Sequence, residues 1–184
     1  MKTSIKVKLD GIRPIMFDRY VSMNSETPPE QKFYLGQDGK SLMFPTANIS
    51  SFLSADLTES ATKRVIGRKW RSVAKAALSY VDFDQLEIPI MREGECLTLD
   101  NSNYIIDRRV ARVKKTGALI VPSEKIRPVL NTPWSLTFNL TLYDNDELNE
   151  QTLRRIFEDG GISIGLGTFR GIFGKFKVSQ WDKV

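Results

Sequence analysis

WSLTFNLTLY, from Trp134 to Tyr143, alternates without a break: Trp134, Leu136, Phe138, Leu140 and Leu142 fall on one face, and Ser135, Thr137, Asn139 and Thr141 on the other. Successive side chains of a strand point to opposite faces, so this period of two predicts a strand with one apolar and one polar side. Downstream, Asn149 stands where a helix N-cap belongs. Glu150 follows where the helix dipole favours an acid, and Leu153, Ile156 and Phe157 recur at helical spacing. A glycine-rich turn, GGISIGLGTFRGIFG, runs from Gly160 to Gly174. A strand over Lys175–Ser179 then alternates Phe176 and Val178 with Lys175 and Lys177.

Upstream, Ser4–Leu9 repeats the strand pattern, with Ile5, Val7 and Leu9 against Lys6 and Lys8, and Gly11 and Pro14 end it. The polar stretch from Asn24 to Gln31, with Pro28 and Pro29, reads as an irregular loop or mobile insertion. Phe33–Leu35 and Leu42–Phe44 flank Gln37-Asp38-Gly39-Lys40 as a short hairpin, because Asp-Gly supplies the positive φ of a tight turn. Thr46 is a candidate N-cap for a helix through Ile49, Phe52 and Leu53. A second helix is expected from about Thr58 to Ser79, with Val65, Trp70, Val73, Ala77 and Tyr80 as its apolar stripe. Within Leu86–Asn131 the candidates are short strands at Glu87–Met91, Glu95–Leu99 and Tyr104–Ile106. A hairpin of Val110–Val113 with Ala118–Val121 is expected around Lys114-Lys115-Thr116-Gly117.

In order, these elements predict an α+β chain with a ferredoxin-like (RRM-like) βαββαβ core and a β-rich basic insertion over residues 86–131, within one domain spanning 1–184. The first and last strands are expected as central neighbours. That would set Lys6 and Lys8 beside Lys175 and Lys177, next to the Ser/Thr/Asn row, as a platform for a phosphate backbone. Where aromatic RNA-binding sheets place Phe or Tyr for stacking, this face offers Ser135, Thr137 and Asn139, so contacts through charge and hydroxyl groups, with little sequence preference, are expected.

Composition narrows the chemistry. The 184 residues hold no histidine and one cysteine, Cys96, so imidazole catalysis, Ser-His-Asp and Cys-His nucleophiles and an intrachain disulfide are excluded. Cys96 reads as a small core residue. No segment approaches the roughly 18 consecutive apolar residues of a membrane span, and MKTSIKVKLDG is not the apolar block of an export signal, so a cytosolic setting is expected. The net charge of +5 is unevenly placed. From Ile105 to Pro128 seven bases face two acids, whereas Asp144 to Asp159 holds six acids and two arginines. Five of the bases (Arg108, Arg109, Arg112, Lys114 and Lys115) lie within eight residues and repel one another unless a polyanion or an acidic partner neutralises them.

The block Gly165-Leu166-Gly167-Thr168-Phe169-Arg170-Gly171-Ile172-Phe173-Gly174-Lys175-Phe176-Lys177-Val178 lacks the Gly-Lys-Ser/Thr ending of a Walker loop. It also follows a helix, where a Rossmann turn follows a strand. Lying between the last helix and the last strand, it resembles the glycine-rich loop of the RAMP superfamily, which includes the backbone subunits of CRISPR effector complexes, and of phage-borne relatives. The first strand and Met43-Phe44-Pro45 match more loosely. The resemblance implies a non-catalytic or weakly catalytic protomer that polymerises along RNA or another single strand in the cytoplasm of a bacterial or phage-infected cell. Its β-ribbon thumb would be residues 105–128, and its glycine loop would hold Arg170. Some members cleave RNA with an aspartate in the loop after the first strand. Asp18 lies in such a loop and reads as structural.

The expected function is therefore sequence-independent binding of single-stranded nucleic acid, RNA favoured, as a repeated subunit, with no cofactor, no metal and no membrane partner. The expected contacts are Lys6, Lys8, Arg68, Lys69, Arg71, Arg108, Arg109, Arg112, Lys114, Lys115, Arg170, Lys175 and Lys177, converging on one strand. Further copies of the chain and other subunits of a nucleoprotein complex are expected partners, the acidic 144–159 segment meeting the ribbon of the next copy. One rival is an assembly protein whose ribbon binds an acidic neighbour. Another is a metal-dependent nuclease using Asp82, Asp84 and Glu87.

Overall fold

The structure, a computed structural model, describes residues 1–21, 27–114 and 120–184; of residues 111–114, 120 and 121 it describes the backbone alone. In chain order, β1 (Lys2–Gly11) and β2 (Ile15–Met16) precede a 3₁₀ turn at Pro29–Lys32 and strands β3 (Tyr34–Leu35) and β4 (Leu42–Pro45). Helices α1 (Thr46–Ser54), α2 (Ala61–Ile66) and α3 (Trp70–Tyr80) follow. Next come β5 (Val81–Phe83), β6 (Glu87–Pro89), β7 (Met91–Arg92), β8 (Glu95–Cys96), β9 (Tyr104–Lys114), β10 (Ile120–Leu130) and β11 (Ser135–Tyr143). Helix α4 (Glu150–Ser163) then leads to β12 (Phe176–Lys183).

The chain is α+β. Its main sheet runs β12-β1-β11, with β5 and β7 both pairing β11 and every ladder antiparallel. Helices α1 to α3 connect β1 to β5, and α4 connects β11 to β12, which gives the βαββαβ connectivity. Strand β1 is flanked on both sides, but β12 lies at the sheet edge, so the first and last strands are neighbours without both being central. Ile5, Val7 and Leu9 from β1 and Leu136 and Leu140 from β11 are fully buried, as their alternation requires. Rings from both helical connections complete that face: Phe157 of α4 lies 6.4 Å from Phe138 and 5.5 Å from Trp181, and Phe52 of α1 lies 5.5 Å from Phe176.

Helix α4 begins where the sequence places it, with Asn149 Oδ1 accepting from the Thr152 amide at 2.8 Å. The other helical expectations need correction. Thr46 does not cap α1: its hydroxyl donates to the Leu86 carbonyl at 3.0 Å, and Pro45 holds the cap position. The long helix expected over 58–79 is two helices capped at Ser60 and broken at Gly67, where φ is 70°. Trp70 is half-buried outside the core, its ring 4.6 Å from the Lys63 ammonium and 5.1 Å from the Arg71 guanidinium.

The hairpin at residues 34–45 forms, and its Asp38 carboxylate accepts from Ser41 and the Lys40 and Ser41 amides, which hold its pKa down at about 2. Of the loop expected over 24–31, Asn24, Ser25 and Glu26 lie outside the described residues. The β-rich middle forms one long ribbon. β9 and β10 pair from Tyr104↔Leu130 out to Lys114↔Ile120, well beyond the short arms expected. Its base joins β2 through Val129↔Met16 and Leu130↔Ile15, and Tyr104 packs 5.1 Å from Phe33. Beyond that base Arg127 and Pro128 stay buried, whereas Ile105, Arg108 and Val110 are exposed as the ribbon leaves the core. Cys96 is half-buried near the core's edge. Among the described residues no helix is long and apolar enough to cross a membrane.

Candidate nucleic-acid interface

The open face of the main sheet carries Lys6 and Lys8 beside the Ser/Thr/Asn row, with Lys6 opposite Asn139 and Lys8 opposite Thr137. On the other flank a register shift between Lys8 and Leu9 changes the expected partners. Lys6 lies opposite Asp182, Lys8 opposite Gln180, and Lys177 opposite Asp10. The four lysines therefore do not gather. Lys8 Nζ lies 3.8 Å from Asp10 Oδ1, and Asp82 stands opposite Thr141 on the same face. Lys2, Lys6, Lys8 and Lys177 share that surface with three aspartates, which leaves it a net charge of only +1 with which to hold phosphate. Lys175 precedes β12, and its carbonyl accepts from the Ile12 and Arg13 amides at 2.8 and 3.2 Å.

Arg68 and Lys69 are exposed in the turn between α2 and α3, and Arg71 is exposed at the start of α3. They belong to the helical layer, on the other side of the sheet from Lys6. The expected cations thus occupy separate surfaces rather than one continuous track, since a strand crossing the open face cannot also reach the helices without wrapping the sheet.

The ribbon holds the densest remaining charge. Arg108 is exposed, with no ion pair or hydrogen bond among the described residues, and Lys125 is half-buried and likewise free of ion pairs. Arg112 and Lys114 hold backbone positions opposite Pro122 and Ile120, while Lys115 lies outside the described residues. Arg109 is different: Asp107 holds it bidentately at 2.6 and 2.5 Å, and this hydrogen bonding keeps the Asp107 carboxyl below its usual range.

The glycine-rich loop lies against β2 and α1. The Thr168 amide donates to the Met16 carbonyl at 2.9 Å, the Leu166 amide to Gly174 at 2.9 Å, and the Gly174 amide to Pro14 at 2.8 Å. Gly174 has φ 70°, and any Cβ there would collide with the Leu166 carbonyl, so only glycine fits. The loop does hold Arg170, half-buried against α1. Its Nη1 and Nη2 point to the Ser51 carbonyl and hydroxyl at 3.5 and 3.3 Å, and burial away from any carboxylate lowers its pKa. The last carbonyls of a helix carry partial negative charge, which suits a guanidinium.

Between the loop and β2 opens a cleft of about 180 Å³ lined by Met16, Phe17, Asp18, Tyr34, Asn48, Gly167 and Thr168. Asp18 is engaged there by Arg127 Nε at 2.7 Å and Lys32 Nζ at 3.6 Å. Asp82 Oδ1 accepts from the Phe83 amide at 2.9 Å, and among the described residues no three carboxylate or thiol groups gather to hold a metal ion. The acidic 144–159 segment is largely neutralised within the chain. Asp144 pairs with the N-terminus, Glu150 with Lys183, Glu158 with Arg154 and Asp159 with Arg155. Sequence reasoning missed Arg92, whose three donors reach Pro133, Asn103 and Asn131, each at 2.8 Å, and tie β7 to the ribbon base. Only its place in the β-rich middle hinted at that.

No protein-family model matches the chain, and no curated protein matches it. Among solved structures, its fold is similar to a chain in the cryo-EM structure of the type III-B Cmr-beta bound to cognate target RNA. The TM-score is 0.57 at 12% identity, over 100% of this chain and 61% of that one. At that identity the likeness is one of fold, and this chain spans about three fifths of its neighbour's length.

Proposed function

We propose that the chain is a RAMP-like protomer that holds single-stranded nucleic acid, RNA in preference to DNA, by its backbone. It acts as a repeated, non-catalytic subunit of a cytoplasmic nucleoprotein assembly. One observation carries this reading: a projecting two-stranded ribbon with Arg108 and Lys125 unpaired and Arg112 and Lys114 further out. It is set beside a glycine-rich loop, on a sheet whose fold resembles a chain of an RNA-bound complex. The ion pairs of Asp18 with Arg127 and Lys32 favour a structural role for that carboxylate over a catalytic one. The contacts reduce to the ribbon cations, because the open sheet face is close to neutral.

Labelled oligouridine and oligothymidine of equal length test this by fluorescence anisotropy. Four phosphate contacts on a single strand predict a loss of affinity on the order of fifty-fold between about 50 and 200 mM salt. RNA should bind more tightly than DNA, and unrelated sequences about equally. Absence of binding at low salt would refute the proposal and favour an assembly protein with an acidic partner.

A further inference from the structure

Arg127 at the ribbon base is buried against Asp18; further along the ribbon, Arg109 is half-buried, and its side chain too is already engaged. Its Nε and Nη2 donate to both oxygens of Asp107, so one of the two forks with which a guanidinium could grip a phosphate is already filled. The guanidinium carbon lies 4.9 Å from the centre of the Phe169 ring and 5.2 Å from that of Phe173. Both rings belong to the glycine-rich loop, 6.3 Å apart and tilted by 70°. Phe169 has φ 56°, a left-handed conformation that bulky residues rarely adopt and that a structure keeps only where other contacts hold it. That backbone presents its ring to the ribbon. Arg108, one residue away, has no such partners.

We infer that Arg109 is a positioning residue that clamps the ribbon onto the glycine-rich loop, so that the two elements hold a fixed relation when a strand is bound. It is not a phosphate contact. A cation over an aromatic face is attracted by the ring quadrupole, and Asp107 fixes the plane of the guanidinium so that it meets both rings. The inference rests on the nucleic-acid reading for its consequence, but the clamp exists in the free protein and is measurable there.

Amide hydrogen exchange of the free protein is the first measurement. Arg109→Ala should speed exchange across Gly165–Gly174 by roughly two- to thirty-fold, the range expected from losing a cation–π contact, while Arg108→Ala leaves it unchanged. Adding Phe173→Leu to Arg109→Ala should change exchange little further, because coupled groups are non-additive. Arg109→Lys should restore part of the protection. In oligouridine titrations, Arg109→Ala should weaken binding with the same slope of log affinity against log salt, whereas Arg108→Ala should make that slope shallower by about 0.7. Unchanged loop exchange in Arg109→Ala, or a salt slope that falls as it does for Arg108→Ala, overturns the clamp. If the wild-type protein binds no oligonucleotide, the proposed function fails and the exchange result still decides the clamp.

Discussion

Asp18 Oδ2 accepts a 2.7 Å hydrogen bond from Arg127 Nε, joining the segment after β1 to the return strand of the ribbon. The Arg127 side chain is only 10% exposed, and its Nη1 has no partner among the described residues. Removing the carboxylate therefore strands a buried charge, while removing the arginine leaves Asp18 beside Lys32 and partly in water. Asp18→Ala should cost about 2–4 kcal/mol, and Arg127→Met about 1 kcal/mol or less, since an unpaired buried charge costs more than an apolar replacement. Urea denaturation midpoints test the order. The reverse order would mean that Asp18 is not what compensates Arg127.

Asp107 gives the clamp a pH dependence. Its carboxyl is held below the ordinary value chiefly by the hydrogen bonds from Arg109, so it contributes stability that is complete above the unfolded carboxylate range, near pH ~4. That contribution is lost as pH falls through the lowered folded value. The melting temperature of the wild type should exceed that of Asp107→Asn at neutral pH, and the gap should close on acidification below about pH 4. A gap independent of pH would place the effect of the substitution elsewhere.

The sheet was legible because period two survives wherever one face is buried: Ile5, Val7 and Leu9, and Leu136 to Leu142, give both face and strand. The ribbon's length was not legible. At Ile105, Ile106 and Val110 the ribbon exposes apolar side chains on both faces, so these need not alternate with polar residues, and Pro122 and Pro128 argue against a strand although both are paired. Helical spacing continued past Gly67 and drew Trp70 into the stripe, hiding the break. At the candidate site, the shift at Lys8/Leu9 is a property of the ladder, and it separated lysines that simple alternation had placed together. Asp107 two residues before Arg109 was a readable same-face pair, whereas the rings of Phe169 and Phe173 reach it only through the fold.

Gly160 sets helix propensity against packing. Alanine at an interior helix position gains up to about 1 kcal/mol over glycine. Here, however, the new Cβ would collide with the Ala61 side chain and lie 2.9 Å from Phe52 Cζ and 3.3 Å from the Ala61 backbone, where α4 crosses α2. Backbone cannot swing aside, and overpacking costs about 1–3 kcal/mol. Gly160→Ala should therefore destabilise the protein despite its better propensity, seen as a lower urea midpoint. A raised midpoint would show that α2 and α4 can separate freely.

The open sheet face makes the last prediction a matter of sign. Lys2, Lys6, Lys8 and Lys177 share it with Asp10, Asp82 and Asp182, so a strand crossing it meets nearly as many repulsive charges as attractive ones. If the ribbon carries the binding, replacing Lys6 and Lys8 together by alanine should leave oligouridine affinity within about twofold. The pair Arg108→Ala and Lys125→Ala should lower it about equally for every sequence and make the salt slope shallower by about 1.4, from two lost contacts. Asp10→Asn with Asp182→Asn is the sharper case. It leaves the face basic, and should tighten binding only if the strand passes over it. Unchanged affinity places the strand on the ribbon alone, and a tenfold gain would return the sheet face to the interface.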